Sequence, residues 1–140
     1  MPQTFSTMTP MRRERFEKYC KQVEEDLVIP RQKFEEFAQT LPGKKHFWVA
    51  KLIQEKIHLR DLQDKKKELE QDAFDNIPLD TARRTTKKAL VAASPDIVKI
   101  SDEIDESILI IEYLEKVERI FSQAGYDLKN YIDTKKMEET

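Results

Sequence analysis

Residues that make turns and reactive sites are scarce in this chain. Its 140 residues include 2 Gly, 1 Cys, 2 His and 1 Trp. With so few glycines, sheets joined by tight turns are disfavoured, and no glycine-rich loop is left to cradle a phosphate. The single cysteine, Cys20, excludes a disulfide framework and a cysteine-based zinc module, and it suits a reducing compartment. No apolar run approaches the ~18 residues that a membrane span needs. The opening MPQTFSTMTP has neither the charged start nor the apolar stretch of a signal peptide, so a cytoplasmic protein with no membrane partner is expected. Patterns of the H-E-x-x-H, G-x-S-x-G and P-loop types do not occur. Glu55 and His58 share the spacing used in di-iron bundles, but there is no second such pair. Neither an enzyme nor a cofactor is expected.

What the chain does have is charge, and its distribution matters more than its sum. The formal net charge of −2 suggests no affinity for nucleic acid. Residues 1–40 balance, with 7 basic and 7 acidic side chains, but residues 41–93 hold 12 basic and 8 acidic. Residues 94–140 reverse this, with 6 basic and 12 acidic. Potentials act locally, over about a Debye length, so a basic middle can bind what an acidic whole would repel. The plainer alternative is a set of solvated helix faces.

Periodicity predicts an all-α protein. A first helix is expected from Met11 to about Leu27, with Thr9 as its cap and Pro10 as its first residue. A short helix over 31–40 and a turn at Leu41-Pro42-Gly43 are expected next. The longest element should run from Lys44 to Phe74. Within it, Trp48, Leu52, Glu55, Leu59, Leu62, Lys66, Leu69 and Ala73 keep heptad spacing. Thr81 to Ala93 reads as a short basic helix, and Ser101 as the cap of the last helix, with Asp102 and Glu103 in its first turn. In that last helix Ile110, Leu114, Val117, Phe121, Ala124, Leu128 and Tyr131 alternate by four and three, and Ile104, Ile108 and Ile111 extend the stripe upstream. Such a stripe suits either an intramolecular core or self-association. The oligomerisation set is taken as Ile104, Ile108, Ile111, Leu114, Val117, Phe121, Leu128 and Tyr131. Gly125 interrupts it and marks a kink, a helix end or a close crossing.

The basic middle supplies the candidate binding residues. On an ideal helix Lys45, Lys56, Arg60 and Lys67 fall within about 60° of one another. The run Lys65, Lys66, Lys67 adds local charge, and Arg83, Arg84, Lys87 and Lys88 form a second cluster. Lysines and arginines along a helix track a phosphate backbone, and counterion release supplies affinity without sequence specificity. Phe47 and Trp48 are the nearby aromatics, and their spacing assigns them to the core. Cys20, on an apolar helix face, reads as a small buried hydrophobe.

The order of elements resembles the UvsY family of recombination mediators of T4-like phages. The resemblance is carried by Asp96-Ile97-Val98-Lys99-Ile100, by the helix rich in Ile108 to Leu114, and by Ser122-Gln123-Ala124-Gly125-Tyr126-Asp127-Leu128-Lys129-Asn130-Tyr131-Ile132. Weaker similarity covers residues 17–93. The family has a Lys-x-Arg-Leu pattern in its DNA-binding segment; the best match here is Lys66-Lys67-Glu68-Leu69, with glutamate in place of the arginine. The resemblance implies a ring-like hexamer or heptamer that binds single-stranded DNA. It also implies partnership with a RecA-like phage recombinase and a phage single-strand-binding protein, in recombination, repair and recombination-dependent replication. Residues 1–10 would then be a disordered extension, 11–93 would carry the DNA-binding surface and 94–140 the oligomerisation helix. The competing expectation is a helical coiled-coil adaptor or structural protein that binds another protein through the acidic stretch 102–115 and binds no nucleic acid.

Overall fold

A computed structural model describes residues 10–28, 34–78 and 84–139. Four helices make up these residues: α1 (Pro10–Leu27), α2 (Phe34–Asp75), α3 (Arg84–Ala92) and α4 (Pro95–Glu139). The chain is all-α, with no strand among the described residues. No described helix is long and apolar enough to cross a membrane. The expected N-terminal extension, 1–10, lies outside the described residues except for Pro10, which opens α1 as expected.

Two compact units divide the chain. One comprises residues up to Ile53 together with those from Ile110 onward; the other runs from Gln54 to Leu109. The long helices α2 and α4 each contribute a segment to both.

The first unit is organised around aromatic side chains. Phe16, Tyr19 and Val23 of α1 are buried with Phe37, Leu41 and Trp48 of α2 and with Ile110, Leu114, Val117, Phe121 and Leu128 of α4. Their helical spacing puts each set on one face, so each helix buries a stripe. Trp48 is 0% exposed, and the Tyr19 ring meets it edge-on at 5.9 Å. Phe16 meets Tyr113 in the same manner at 4.9 Å. Removing a side chain as large as Trp48 costs about 3–5 kcal/mol.

The second unit has a smaller core. Leu62 of α2 packs with Ile100 and Ile104 of α4, and Leu59 and Leu69 extend the cluster. Val91 of α3 and Ile97 of α4 are also buried. Glu55 and Ser107 are each 0% exposed here, and Glu106 is 5% exposed. The acidic run 102–106 is therefore not one solvated face, since helical rotation carries Glu106 inward while Asp102 and Asp105 stay exposed.

Two boundaries correct the expectations from sequence. Residues 34–40 of the expected short helix, the turn at Leu41-Pro42-Gly43 and the helix from Lys44 are one helix, α2, with Pro42 inside it, while 31–33 lie outside the described residues. An interior proline costs ~3 kcal/mol in an isolated helix. Here Phe37 and Leu41 just before it, and Trp48 just after it, are anchored in one core, and their burial outweighs that local cost. Gly43 is helical, with no positive φ. Similarly, α4 starts at Pro95 and not at Ser101. The Ser94 carbonyl accepts the Val98 N–H at 3.0 Å, which makes Pro95 the first helical residue, where its missing N–H costs nothing. Burial of Ile97 and Ile100 draws the preceding turn into the helix.

Gly125 neither kinks nor ends α4, which continues to Glu139. Nor does it mark a close crossing, since a Cβ at this position would lie at an ordinary contact distance, 3.9 Å, from Leu41 Cδ1.

Candidate nucleic-acid interface

Lysines expected to contact DNA converge in the second unit. Lys66 and Lys67 of α2 and Lys88 of α3 line one open cleft of about 740 Å³. Glu70, Gln71 and Phe74 of α2, Val91 and Ala92 of α3, and Ile97 and Ser101 of α4 complete it. Helix geometry explains the grouping. Lys67, Gln71 and Phe74 are spaced i, i+4, i+7; Lys88, Val91 and Ala92 are spaced i, i+3, i+4; Ile97 and Ser101 are one turn apart.

The charges on this cleft are not equivalent. Lys66 Nζ lies 3.8 Å from Glu70 Oε1, one turn on, in a partly exposed pair. Such a pair contributes only ~0.3–0.5 kcal/mol, so it does not withdraw Lys66 from an incoming phosphate. Lys67 and Lys88 are exposed. Gln71 donates from Nε2 to Asp75 Oδ1 at 2.8 Å, which orients its amide.

The remaining expected contacts are placed as follows. Lys56, Arg60 and Lys65 are exposed on α2. On an ideal helix Lys56, Arg60 and Lys67 lie within about 40° of one another, so they form one basic face. Lys87 is only 5% exposed, and its Nζ sits 5.0 Å from the centre of the Phe74 ring. Its apolar stem is packed, and its charge is held over an aromatic face, a contact worth about 0.5–2 kcal/mol. Lys45 belongs to the other unit, where its Nζ lies 3.7 Å from Glu118 Oε1. Arg83 lies outside the described residues, and Arg84 is described only as the first residue of α3.

The stripe expected to drive oligomerisation is largely internal to one chain. Ile104, Ile111, Leu114, Val117, Phe121 and Leu128 are all buried, Leu114 completely. Only Ile108 and Tyr131 of that set are exposed, at 37% and 45%. Heptad spacing reports that a helix face is covered, not which chain covers it. The exposed apolar residues of α4 in the first unit are Ile120, Tyr126, Tyr131 and Met137.

Seven lining residues of the cleft are not among the site residues read from sequence: Glu70, Gln71, Phe74, Val91, Ala92, Ile97 and Ser101. A signal was present in the i, i+4, i+7 series from Lys67. Its meaning depended on α3 packing opposite, which no local pattern specifies.

No group of three or more metal-ligating side chains occurs among the described residues. Cys20 is half-buried and shares a hydrogen bond with Tyr113; burial pushes its thiol pKa up from 9.0.

Among solved structures, the recombination mediator protein UvsY of bacteriophage T4 matches this arrangement. In one crystal lattice of UvsY the TM-score is 0.77 over 88% of this chain and 98% of that one, at 16% identity. The fold is UvsY-like. Two further lattices of T4 UvsY give TM-scores of 0.75 and 0.71, each at 16% identity. No family model and no curated protein sequence matches the chain. The likeness therefore lies in the helical framework. The UvsY-like form runs through nearly all of the T4 protein's length.

Proposed function

We propose that this chain is a recombination mediator. It binds single-stranded DNA and promotes loading of a RecA-like recombinase onto DNA coated by a single-strand-binding protein. It acts without catalysis of its own, in the cytoplasm of a phage-infected cell, during homologous recombination, repair and recombination-dependent replication. It works as a ring-like homo-oligomer, a hexamer or heptamer.

One observation carries the DNA-binding part: Lys66, Lys67 and Lys88, from two different helices, line a single cleft. A solvated helix face scatters its charges outward, and nothing in that explanation requires cations from α2 and α3 to meet. The UvsY-like fold supports the mediator part, because the T4 protein of that fold is a recombination mediator. A ring multiplies modest patches into avidity, which reconciles a net charge of −2 with DNA binding.

The test is the salt dependence of binding to a single-stranded oligonucleotide, for the wild type and for Lys66→Ala/Lys67→Ala/Lys88→Ala. For single strands, each lost phosphate contact lowers the slope of log K against log salt by about 0.7. The triple variant should thus lose about 2 in slope. An unchanged slope would remove the DNA assignment and favour the adaptor reading, with exposed Asp102, Asp105 and Glu112 as its partner face.

A further inference from the structure

Phosphate binding explains the lysines of the cleft but not its apolar wall. Phe74, Val91 and Ile97 line the same space as Lys67 and Lys88. Val91 and Ile97 are 6% and 4% exposed, so they form a fixed floor and not a mobile rim. Phe74 is half-buried, with the Lys87 ammonium over its ring. A site that bound only a backbone would gain nothing from an aromatic wall and an aliphatic floor. A flat apolar body joined to an anion uses both.

Resting on the DNA-binding reading, we infer that this cleft takes one extruded base of a single strand. The base lies against Phe74, Val91 and Ile97, and its flanking phosphates lie on Lys67 and Lys88. At about 740 Å³ the cleft falls in the ~300–1,000 Å³ range of small-molecule sites, so a single base fits with room for water. The Gln71 amide and the Ser101 hydroxyl provide a few polar groups toward the base edge. Half of the wall is apolar, and every base has an apolar face, so the site tolerates any sequence. Lys66, only weakly paired with Glu70, takes a further phosphate of the same strand.

Base and backbone contributions are separable by experiment. Full-length protein is titrated, with fluorescence anisotropy, against an oligothymidylate and against an abasic strand of equal length. The wild type should bind the oligothymidylate about tenfold more tightly, the effect of one stacked base. Ala92→Trp places a bulky ring in the cleft from an exposed position, without removing a charge or a core residue. It should shrink the preference to under about twofold. Phe74→Leu, which keeps apolar bulk but removes the ring, should narrow the preference as well and guards against a folding defect in the first variant. A tenfold preference that survives both changes overturns the base site, as does a wild type with no preference that still binds the abasic strand. Failure to bind either strand overturns the DNA reading and the base site together.

Discussion

Trp48 Nε1 donates a hydrogen bond to Asp26 Oδ2 at 3.0 Å, across 22 residues of sequence. The backbone carbonyl of the same Asp26 accepts from Lys44 Nζ at 3.2 Å. The last turn of α1 is thus tied to α2 at two points, beside the wholly buried indole.

From this pair we expect Trp48→Phe to destabilise the protein by about 2–3 kcal/mol. The loss combines a hydrogen bond to a carboxylate, ~1.5–3 kcal/mol, with a small cavity. Asp26→Asn keeps an acceptor in place and should cost about 1 kcal/mol. Urea unfolding of both single variants and of the double variant checks the coupling. Additive losses would show that the two side chains do not depend on each other.

The same pair shows how much of the fold was legible in sequence. Trp48 could be assigned to the core because its heptad partners, Leu52, Leu59 and Leu62, repeat on one face. Asp26 could not be assigned as its partner, because a bond across 22 residues leaves no local trace. Pro42 misled for a related reason: proline and glycine side by side punctuate a chain locally, and only the tertiary burial of Phe37, Leu41 and Trp48 holds the helix through them. In the cleft, Lys66, Lys67 and Lys88 were legible as charge. Lys87, one residue away, was legible as charge too, yet it lies buried against Phe74, and charge patterning carries no information about that.

Pro42 itself gives a second prediction. It is exposed and helical, and it lacks the N–H that would bond one turn back. Pro42→Ala should restore that bond. The gain, ~3 kcal/mol from helix propensity, is offset by about 1 kcal/mol from a freer unfolded chain. A net stabilisation of about 2 kcal/mol is expected in thermal unfolding. A lower melting temperature would mean that the core around Leu41 depends on the distortion that proline imposes.

Gly125 offers a milder case. A Cβ there would make an ordinary contact with Leu41 Cδ1 at 3.9 Å, and the residue has no positive φ. Gly125→Ala should therefore stabilise the chain by about 0.5–1 kcal/mol, the usual helix-interior difference. Denaturant midpoints measure it, and a loss of stability would contradict the spacing between α2 and α4 at this point.

Cys20 and Tyr113 set a pH dependence. Burial raises both pKa values, from ordinary values of 9.0 for the thiol and 10.0 for the phenol, and their mutual hydrogen bond raises Tyr113 further. The folded chain therefore holds protons that the unfolded chain releases. Stability from this pair is complete below about pH 9 and falls as the pH rises through the folded-state pKa values. Unfolding followed from pH 7 to 11 should show this decline, and Cys20→Ala/Tyr113→Phe should flatten it. A decline of equal slope in the double variant would assign the effect to other groups.

Assembly, the least local property proposed here, separates cleanly by burial. Leu114 is wholly buried within one chain, so Leu114→Asp should unfold the first unit, a loss visible in circular dichroism before any change of mass can be interpreted. Ile120 and Tyr131 are 48% and 45% exposed. On an ideal helix they lie within about 20° of each other, three turns apart, and so form one outward apolar face on α4. A subunit interface would bury both side chains. Ile120→Asp/Tyr131→Asp should therefore leave helicity intact and lower the mass found by light scattering. If the mass is unchanged while the fold is retained, this face of α4 is not the surface on which the ring closes.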